Sequence, residues 1–283
     1  MTHNKLTQWL VVTDLDGTLL NHHSYATDNA LPAIKKLQKM NIPIIFNTSK
    51  TFDEILALQN QLGIHDPFIV ENGSCIYLPK SQYPKIFNEY EVDSREQYWE
   101  LILGIKKSEI SHILESIDTP AEYYQLLSAC STEEASQLTG LSAEQSEQAI
   151  SRDFSEPLIW KSTDDDLQKF IKQLKVENLN TLQGGRFLHV LGSCDKGIAT
   201  ETLRDIILKQ TLAPITNIKT ITLGDSANDA AMLNAGDISI IVNSPSNHML
   251  QKSITPDIQT IYEAPDGWAE GINAAINSIK ELI

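Results

Sequence analysis

Asp14 and Asp16 stand two residues apart in VVTDLDGTLL, just after the apolar pair Val11-Val12 and Thr13. In an extended chain residues i and i+2 project to the same side. Two carboxylates at the carboxyl end of a buried strand would therefore face one crevice, the place where open α/β sheets bind ligands. Such a pair repels and is poorly solvated unless a cation or a shared proton intervenes. Oxygen-only ligands point to a hard divalent ion, magnesium. A D-x-D-G run also suits an exposed bend. A second acidic group lies far along the chain, in Gly224-Asp225-Ser226-Ala227-Asn228-Asp229 behind Ile221-Thr222-Leu223. Asp225 would stand at another strand end, and Asp229, one turn on, could face the same way. A plain helix N-cap is the alternative. Strand-end acids from opposite ends of the chain favour the metal reading, with Asp14, Asp16, Asp225 and Asp229 as the candidate group.

Two further features concern an anion. Thr48 and Ser49, in FNTSKT, follow an apolar strand pattern and precede a helical one. A hydroxyl beside helix-start N–H groups suits a phosphate, although Ser and Thr also cap helices routinely. Lys196, in Asp195-Lys196-Gly197, opens a helix against its dipole. An anionic ligand would explain that position, and so would a solvated surface lysine.

The elements that must carry these residues follow from periodicity. Strands are expected at 9–14, 42–47, 68–70 and 75–78, and helices at 29–40, with Asp28 as its cap, and 51–62, closed by Gly63. Asn72-Gly73 marks a hairpin. This β-α-β-α-β order predicts a parallel sheet. Between 81 and 191 the character changes to helices at 108–117, 131–138, 142–150 and 164–174, with short strands at 158–160 and 187–191. Ser131 with Glu134 and Ser142 with Gln145 are capping boxes. The first rhythm returns with a helix at 196–209, a strand at 220–223, a helix at 228–235, a strand at 238–242 and a helix at 267–282. The expected fold is an α/β, Rossmann-like parallel-sheet core from residues 1–80 and 192–283, with residues 81–191 inserted as an α+β cap.

Bulk composition narrows the function. The 283 residues carry 37 acidic and 22 Lys or Arg side chains, a net charge of −15. That argues against general binding of nucleic acid or anionic membranes. It leaves room for an anionic small substrate, because a few local cations or a metal reverse the sign inside one cleft. Three scattered cysteines, Cys75, Cys130 and Cys194, fit a reducing compartment. No run approaches the roughly 18 apolar residues of a membrane span, and the start lacks a signal-peptide pattern. A cytoplasmic location is the expectation; oligomeric state is not legible.

D-L-D-G-T, a Thr ending the second strand, a Lys before a helix and G-D-S-A-N-D, in that order, resemble the four motifs of the haloacid-dehalogenase superfamily. IIFNTSKT, PFIVENGS, STEEASQLTGLS, RDFSEPLI and GGRFLHVLG further resemble mannosyl-3-phosphoglycerate phosphatases, over nearly the whole chain. The cap that this resemblance implies is the C2B type, inserted between the second and third motifs. Asp14 would be the nucleophile and Asp16 the acid and base. Thr48 and Lys196 would hold phosphoryl oxygens, with Ser49 competing for the Thr48 role. Magnesium would bind the Asp14 carboxylate, the Asp16 main-chain carbonyl and Asp225, with Asp229 and Asn228 supporting from behind. The substrate implied is a small phosphorylated sugar acid, mannosyl- or glucosyl-3-phosphoglycerate; sucrose phosphate or another sugar phosphate is the alternative, and a non-catalytic ligand binder is an alternative of another class.

Substrate-binding candidates are Ser49, Lys50, Glu71, Asn72, Gly184, Gly185, Arg186 and Asn228. Arg186 offers a fork suited to a carboxylate, or is a surface arginine in a turn. Glu71 and Asn72 could meet sugar hydroxyls, or Asn72-Gly73 is simply a turn. His189, in an expected cap strand, reads as structural.

Overall fold

The computed structural model describes residues 6–84, 92–184, 187–210, 215–248 and 250–281. Among the described residues, thirteen strands fall in two sheets. They are β1 (Leu6–Thr13), β2 (Ile44–Asn47), β3 (Phe68–Val70), β4 (Cys75–Pro79), β5 (Asp93–Arg95), β6 (Tyr98–Ile102), β7 (Tyr124–Leu126), β8 (Ser155–Trp160), β9 (Asn180–Gln183), β10 (Leu188–Leu191), β11 (Ile215–Gly224), β12 (Ile238–Asn243) and β13 (Ile258–Glu263).

The larger sheet runs β13-β12-β11-β1-β2-β3-β4-β6-β5. From β13 to β3 every pairing is parallel, and β4, β6 and β5 add an antiparallel edge. Helices cover both faces, so the central strands read as continuous apolar runs. Val11 of β1 packs on one face with Ile34, Phe46 and Trp268. Leu10 and Val12 pack on the other with Ala199, Leu203 and Met232. This is the expected Rossmann-like α/β core. The smaller sheet, β7-β8-β10-β9, is antiparallel. Leu158, Leu188 and Val190 on one of its faces join Ile110, Leu114, Phe170 and Leu174 from helices Lys107–Ser116 and Asp164–Val176.

The edge hairpin β5–β6 changes the division of the chain. It lies past residue 80 yet belongs to the larger sheet, with Leu101 opposite Ile76. We propose that the cap spans about 105–191 rather than 81–191. The two connections touch at the boundary: a Cβ on Gly192 would stand 2.9 Å from the Ile105 nitrogen. Periodicity misses β5 because Asp-Ser-Arg carries no apolar residue. The helix expected at 29–40 begins as a 3-10 turn, Asp28–Ala30, and becomes α-helical at Leu31–Lys39, so Asp28 does not cap it.

The loop Glu71–Ser74 between β3 and β4 is longer than a two-residue hairpin, with Val70 opposite Cys75. Glu71, Asn72 and Gly73 all adopt left-handed backbone, with φ of 49°, 60° and 93°. Gly73 is required for a second reason: a Cβ there would lie 2.2 Å from the Asp195 carbonyl oxygen. Gly73→Ala is expected to cost about 2–3 kcal/mol. Urea unfolding should show the lowered midpoint with an unchanged slope.

Candidate active site

β1 ends at Thr13, and Asp14 is the first residue beyond it. The Thr13 hydroxyl donates to the Asp14 carbonyl oxygen at 2.7 Å and accepts from Trp268 Nε1 at 3.0 Å. Lys196 arrives from across the sheet. Asp195 caps its helix, Lys196–Gln210, by accepting from the Gly197 and Ile198 N–H groups, both at 2.8 Å. Asn47, at the end of β2, donates to the Lys196 carbonyl oxygen at 2.8 Å. The ammonium is thereby aimed at two carboxylates, Asp14 Oδ1 and Asp229 Oδ1, each 2.7 Å away. The other Asp229 oxygen, Oδ2, accepts from the Asp225 and Ser226 N–H groups at 3.0 Å. Asp229 therefore shapes the loop that carries Asp225.

Asp14, Asp225 and Asp229 are all buried, and each presents an oxygen within 4.8 Å of the others. At such separations two like charges repel by about 4 kcal/mol even at an effective dielectric of 20. One ammonium among three carboxylates leaves the group short of positive charge. Burial, then the charges of Asp229 and Asp225, push the Asp14 carboxyl well above its ordinary range despite Lys196. Burial, then Asp229, lift Asp225 to about 7. Burial alone would lower the Lys196 ammonium, but Asp14 and Asp229 outweigh it and hold it protonated. The all-oxygen donor set fits a hard divalent cation. Gly17, with φ of +80°, keeps the space clear, since a Cβ there would stand 2.7 Å from Asp225 Oδ2.

A cavity of about 510 Å³ opens over this group, between the two sheets. Asp14, Asp16, Ser49, Asn72, Gly184, Asp225 and Asn228 line it, so the structure gathers most of the sequence candidates into one place. Asp16 stands apart from the three clustered carboxylates. The period-two rule lapses because the chain leaves β1 before it, and its side chain turns to Lys50, Nζ to Oδ1 3.0 Å. Any hold of Asp16 on a metal falls to its main-chain carbonyl. Ser49 lines the cavity and Thr48 does not. Thr48 is fully buried and its hydroxyl accepts from the Lys50 N–H at 3.2 Å. Lys50 is engaged by Asp16 and by Glu54 at 3.6 Å. Asn228 Nδ2 donates to Asn72 Oδ1 at 3.2 Å, joining two loops at the cavity wall. Gly185 and Arg186 lie outside the described residues.

Glu71 departs from its expected place. It is 1% exposed and faces the cap, not the cavity. Its carboxylate accepts from the Asp153 N–H at 2.9 Å, the Phe154 N–H at 3.2 Å and the Ser155 hydroxyl. Arg152 Nη1 stands 3.8 Å away and donates to the Ser49 carbonyl oxygen at 2.9 Å. These contacts tie the core loop to the cap strand. Two residues that sequence reading did not assign to the site also enter it. His189 alternates with the buried Leu188 and Val190, so it must point from β10 to the opposite face, toward the cavity. Arg152 lines an adjoining cavity of about 260 Å³ with His189, Asp16 and Ser49. The period of two in F-L-H-V-L was the signal that could have placed His189.

Comparison with known proteins gives one consistent result. Residues 11–257 match the family model described as haloacid dehalogenase-like hydrolase. A glucosyl-3-phosphoglycerate/mannosyl-3-phosphoglycerate phosphatase of Persephonella marina is 34% identical over 275 residues, 96% of this chain and 98% of that one. A protein of the same description from Methanococcoides burtonii is 33% identical, over 93% and 95% of the two chains. A haloalkanoate-superfamily phosphatase structure from Bacteroides thetaiotaomicron superposes with a TM-score of 0.67 at 13% identity, covering 97% of each chain, which shows the shared fold.

Burial, helped by the charge of Arg152, lowers His189 to about 3. The unfolded chain takes up a proton near pH 6.5 that the folded chain refuses, so this group's contribution to stability is intact above pH 6.5 and is lost as pH falls toward 3. At pH 5 the loss is about 2 kcal/mol. Urea titrations at pH 7.5 and pH 5 should show His189→Phe losing less stability than the parent by about that amount.

Proposed function

The chain belongs to the haloacid dehalogenase-like hydrolase family, and from that membership we propose that it is a magnesium-dependent phosphatase acting on a glycosyl-3-phosphoglycerate, mannosyl or glucosyl, in the cytoplasm. The observation that carries this reading is the buried set of Asp14, Asp225 and Asp229 around Lys196, opening on a cavity large enough for a phosphorylated sugar acid. The named activity of the relatives supports the substrate class.

Asp14, Asp225, Asp229 and the Asp16 main-chain carbonyl would hold the ion. When bound, it offsets the repulsion between an anionic nucleophile and an anionic phosphate. The Asp14 carboxylate oxygen attacks phosphorus and the bond from phosphorus to the sugar-acid oxygen breaks, leaving an aspartyl-phosphate. Asp16, on the cavity wall, gives a proton to the departing oxygen. It then takes a proton from the water that attacks phosphorus, and inorganic phosphate leaves with Asp14 restored. Lys196 and Ser49 receive phosphoryl oxygens, and the turn that Thr48 shapes holds Ser49 in place. Asn72 and Asn228 steady the opposite wall. Their task is electrostatic matching of a charge that spreads in the transition state.

Phosphate release should be compared on mannosyl-3-phosphoglycerate, glucosyl-3-phosphoglycerate, sucrose-6-phosphate and hexose phosphates, with magnesium or with a chelator. The reading expects the glycosyl-3-phosphoglycerates to lead by kcat/KM and the chelator to stop turnover. Asp14→Asn should lose about a thousandfold or more in kcat while melting as a folded protein. Near-parental release by that variant would remove Asp14 from the nucleophile's place.

A further inference from the structure

Buried polar atoms without hydrogen-bond partners are costly and rare in folded proteins. Two nitrogens of this kind occur together beside the cavity. Among the described residues, Arg152 Nε and His189 Nδ1 are sealed from solvent and have no hydrogen-bond partner. Both line the 260 Å³ cavity, which shares Asp16, Ser49 and His189 with the larger one and so opens directly off it. The Arg152 side chain is only 8% exposed.

The charges around this pocket are unequally engaged. Lys50 is paired with Asp16 and Glu54. Arg152 is not so well served: Glu71 already accepts from two main-chain N–H groups and a serine hydroxyl, and stands 3.8 Å from the guanidinium. Arg152 donates instead to neutral oxygens, the Ser49 carbonyl at 2.9 Å and the Ser155 hydroxyl at 3.2 Å. A buried guanidinium with a spare donor and no carboxylate in hydrogen-bond contact is built to receive an anion. The remaining walls include the apolar side chains of Leu127, Leu141 and Phe187.

We propose that Arg152 and His189 form a carboxylate-binding subsite, one that reads the glycerate end of the substrate while its phosphoryl group lies over Asp14. The inference rests on the proposed function. It moves the reading of the carboxylate from Arg186, expected from sequence, to a residue that also ties the cap to the core. Arg152 supplies the charge. His189, held neutral by burial and the nearby Arg152 charge, supplies one directed hydrogen bond in the tautomer that carries its proton on Nδ1. Because Arg152 also bonds the loop at Ser49, carboxylate binding and the position of the phosphate-binding turn are linked through one side chain.

His189→Phe carries the test, since it keeps the volume of a ring and breaks none of the core–cap hydrogen bonds described above. The measurements are kcat/KM on mannosyl-3-phosphoglycerate and on p-nitrophenyl phosphate, and inhibition of the latter by 3-phosphoglycerate and by inorganic phosphate. Loss of one hydrogen bond to a charged group is expected to raise the Ki of 3-phosphoglycerate about tenfold or more. The Ki of inorganic phosphate should move less than about threefold, and the ratio of the two kcat/KM values should fall with the former. Arg152→Lys, which keeps the charge and loses the fork, should shift the same ratio in the same direction. If parent and His189→Phe bind 3-phosphoglycerate equally while the parent hydrolyses the glycosyl substrate, the subsite is wrong and the function stands. If the parent neither hydrolyses the glycosyl substrate nor binds 3-phosphoglycerate more tightly than phosphate, both fall together.

Discussion

Three carboxylates and one ammonium share a buried pocket at the end of the parallel sheet, and that imbalance of charge organises everything around it. Lys196 cannot neutralise Asp14, Asp225 and Asp229 at once, which is why the carboxyls of Asp14 and Asp225 are driven upward. The fold tolerates the arrangement because each charge is held from behind. Trp268 and Thr13 fix the end of β1, Asn47 and Asp195 fix the start of the lysine helix, and Asp229 binds the backbone of its own loop. A divalent cation would complete the balance, and the all-oxygen donor set fits a hard, doubly charged ion.

The second organising element is the loop at Glu71. Left-handed backbone at two non-glycine residues costs roughly 1–3 kcal/mol each. The contacts that repay this cost are specific: the Asn72 N–H donates to the Thr48 carbonyl oxygen at 2.8 Å, and the Glu71 N–H to that of Lys50 at 3.0 Å. The strain sends two neighbouring side chains in opposite directions. Glu71 enters the cap, where it gathers the Asp153 and Phe154 N–H groups and the Ser155 hydroxyl, and Asn72 enters the cavity, where it meets Asn228. The turn at 48–50, the loop at 225–229 and the cap strand are therefore held in register by two consecutive residues, Glu71 and Asn72.

Much of this was legible in the sequence. Short apolar runs ending in Asp14, Asn47 and Gly224 revealed the parallel sheet, because strands buried on both faces carry no polar interruption. The capping boxes at Ser131 and Ser142 marked two helices that form where expected. Motif order brought Asp14, Lys196, Asp225 and Asp229 to one place. What was not legible depends on direction or on contacts distant in sequence. Glu71 was misplaced because nothing in E-N-G reports a positive φ at the glutamate. Asp16 was expected to face the same way as Asp14, but β1 ends at Thr13, before either of them. Arg152 and the edge strands β5 and β6 were missed because their roles arise from tertiary neighbours, 82 residues apart for the Glu71–Asp153 bond.

The most direct test of the charge account is to locate a cation. Crystals grown without divalent metal should be soaked in manganese chloride and measured at the manganese absorption edge. The account predicts an anomalous peak within about 2.5 Å of carboxylate oxygens of both Asp14 and Asp225. A map with no peak there at saturating manganese, while Asp14 and Lys196 keep their contact, would contradict it.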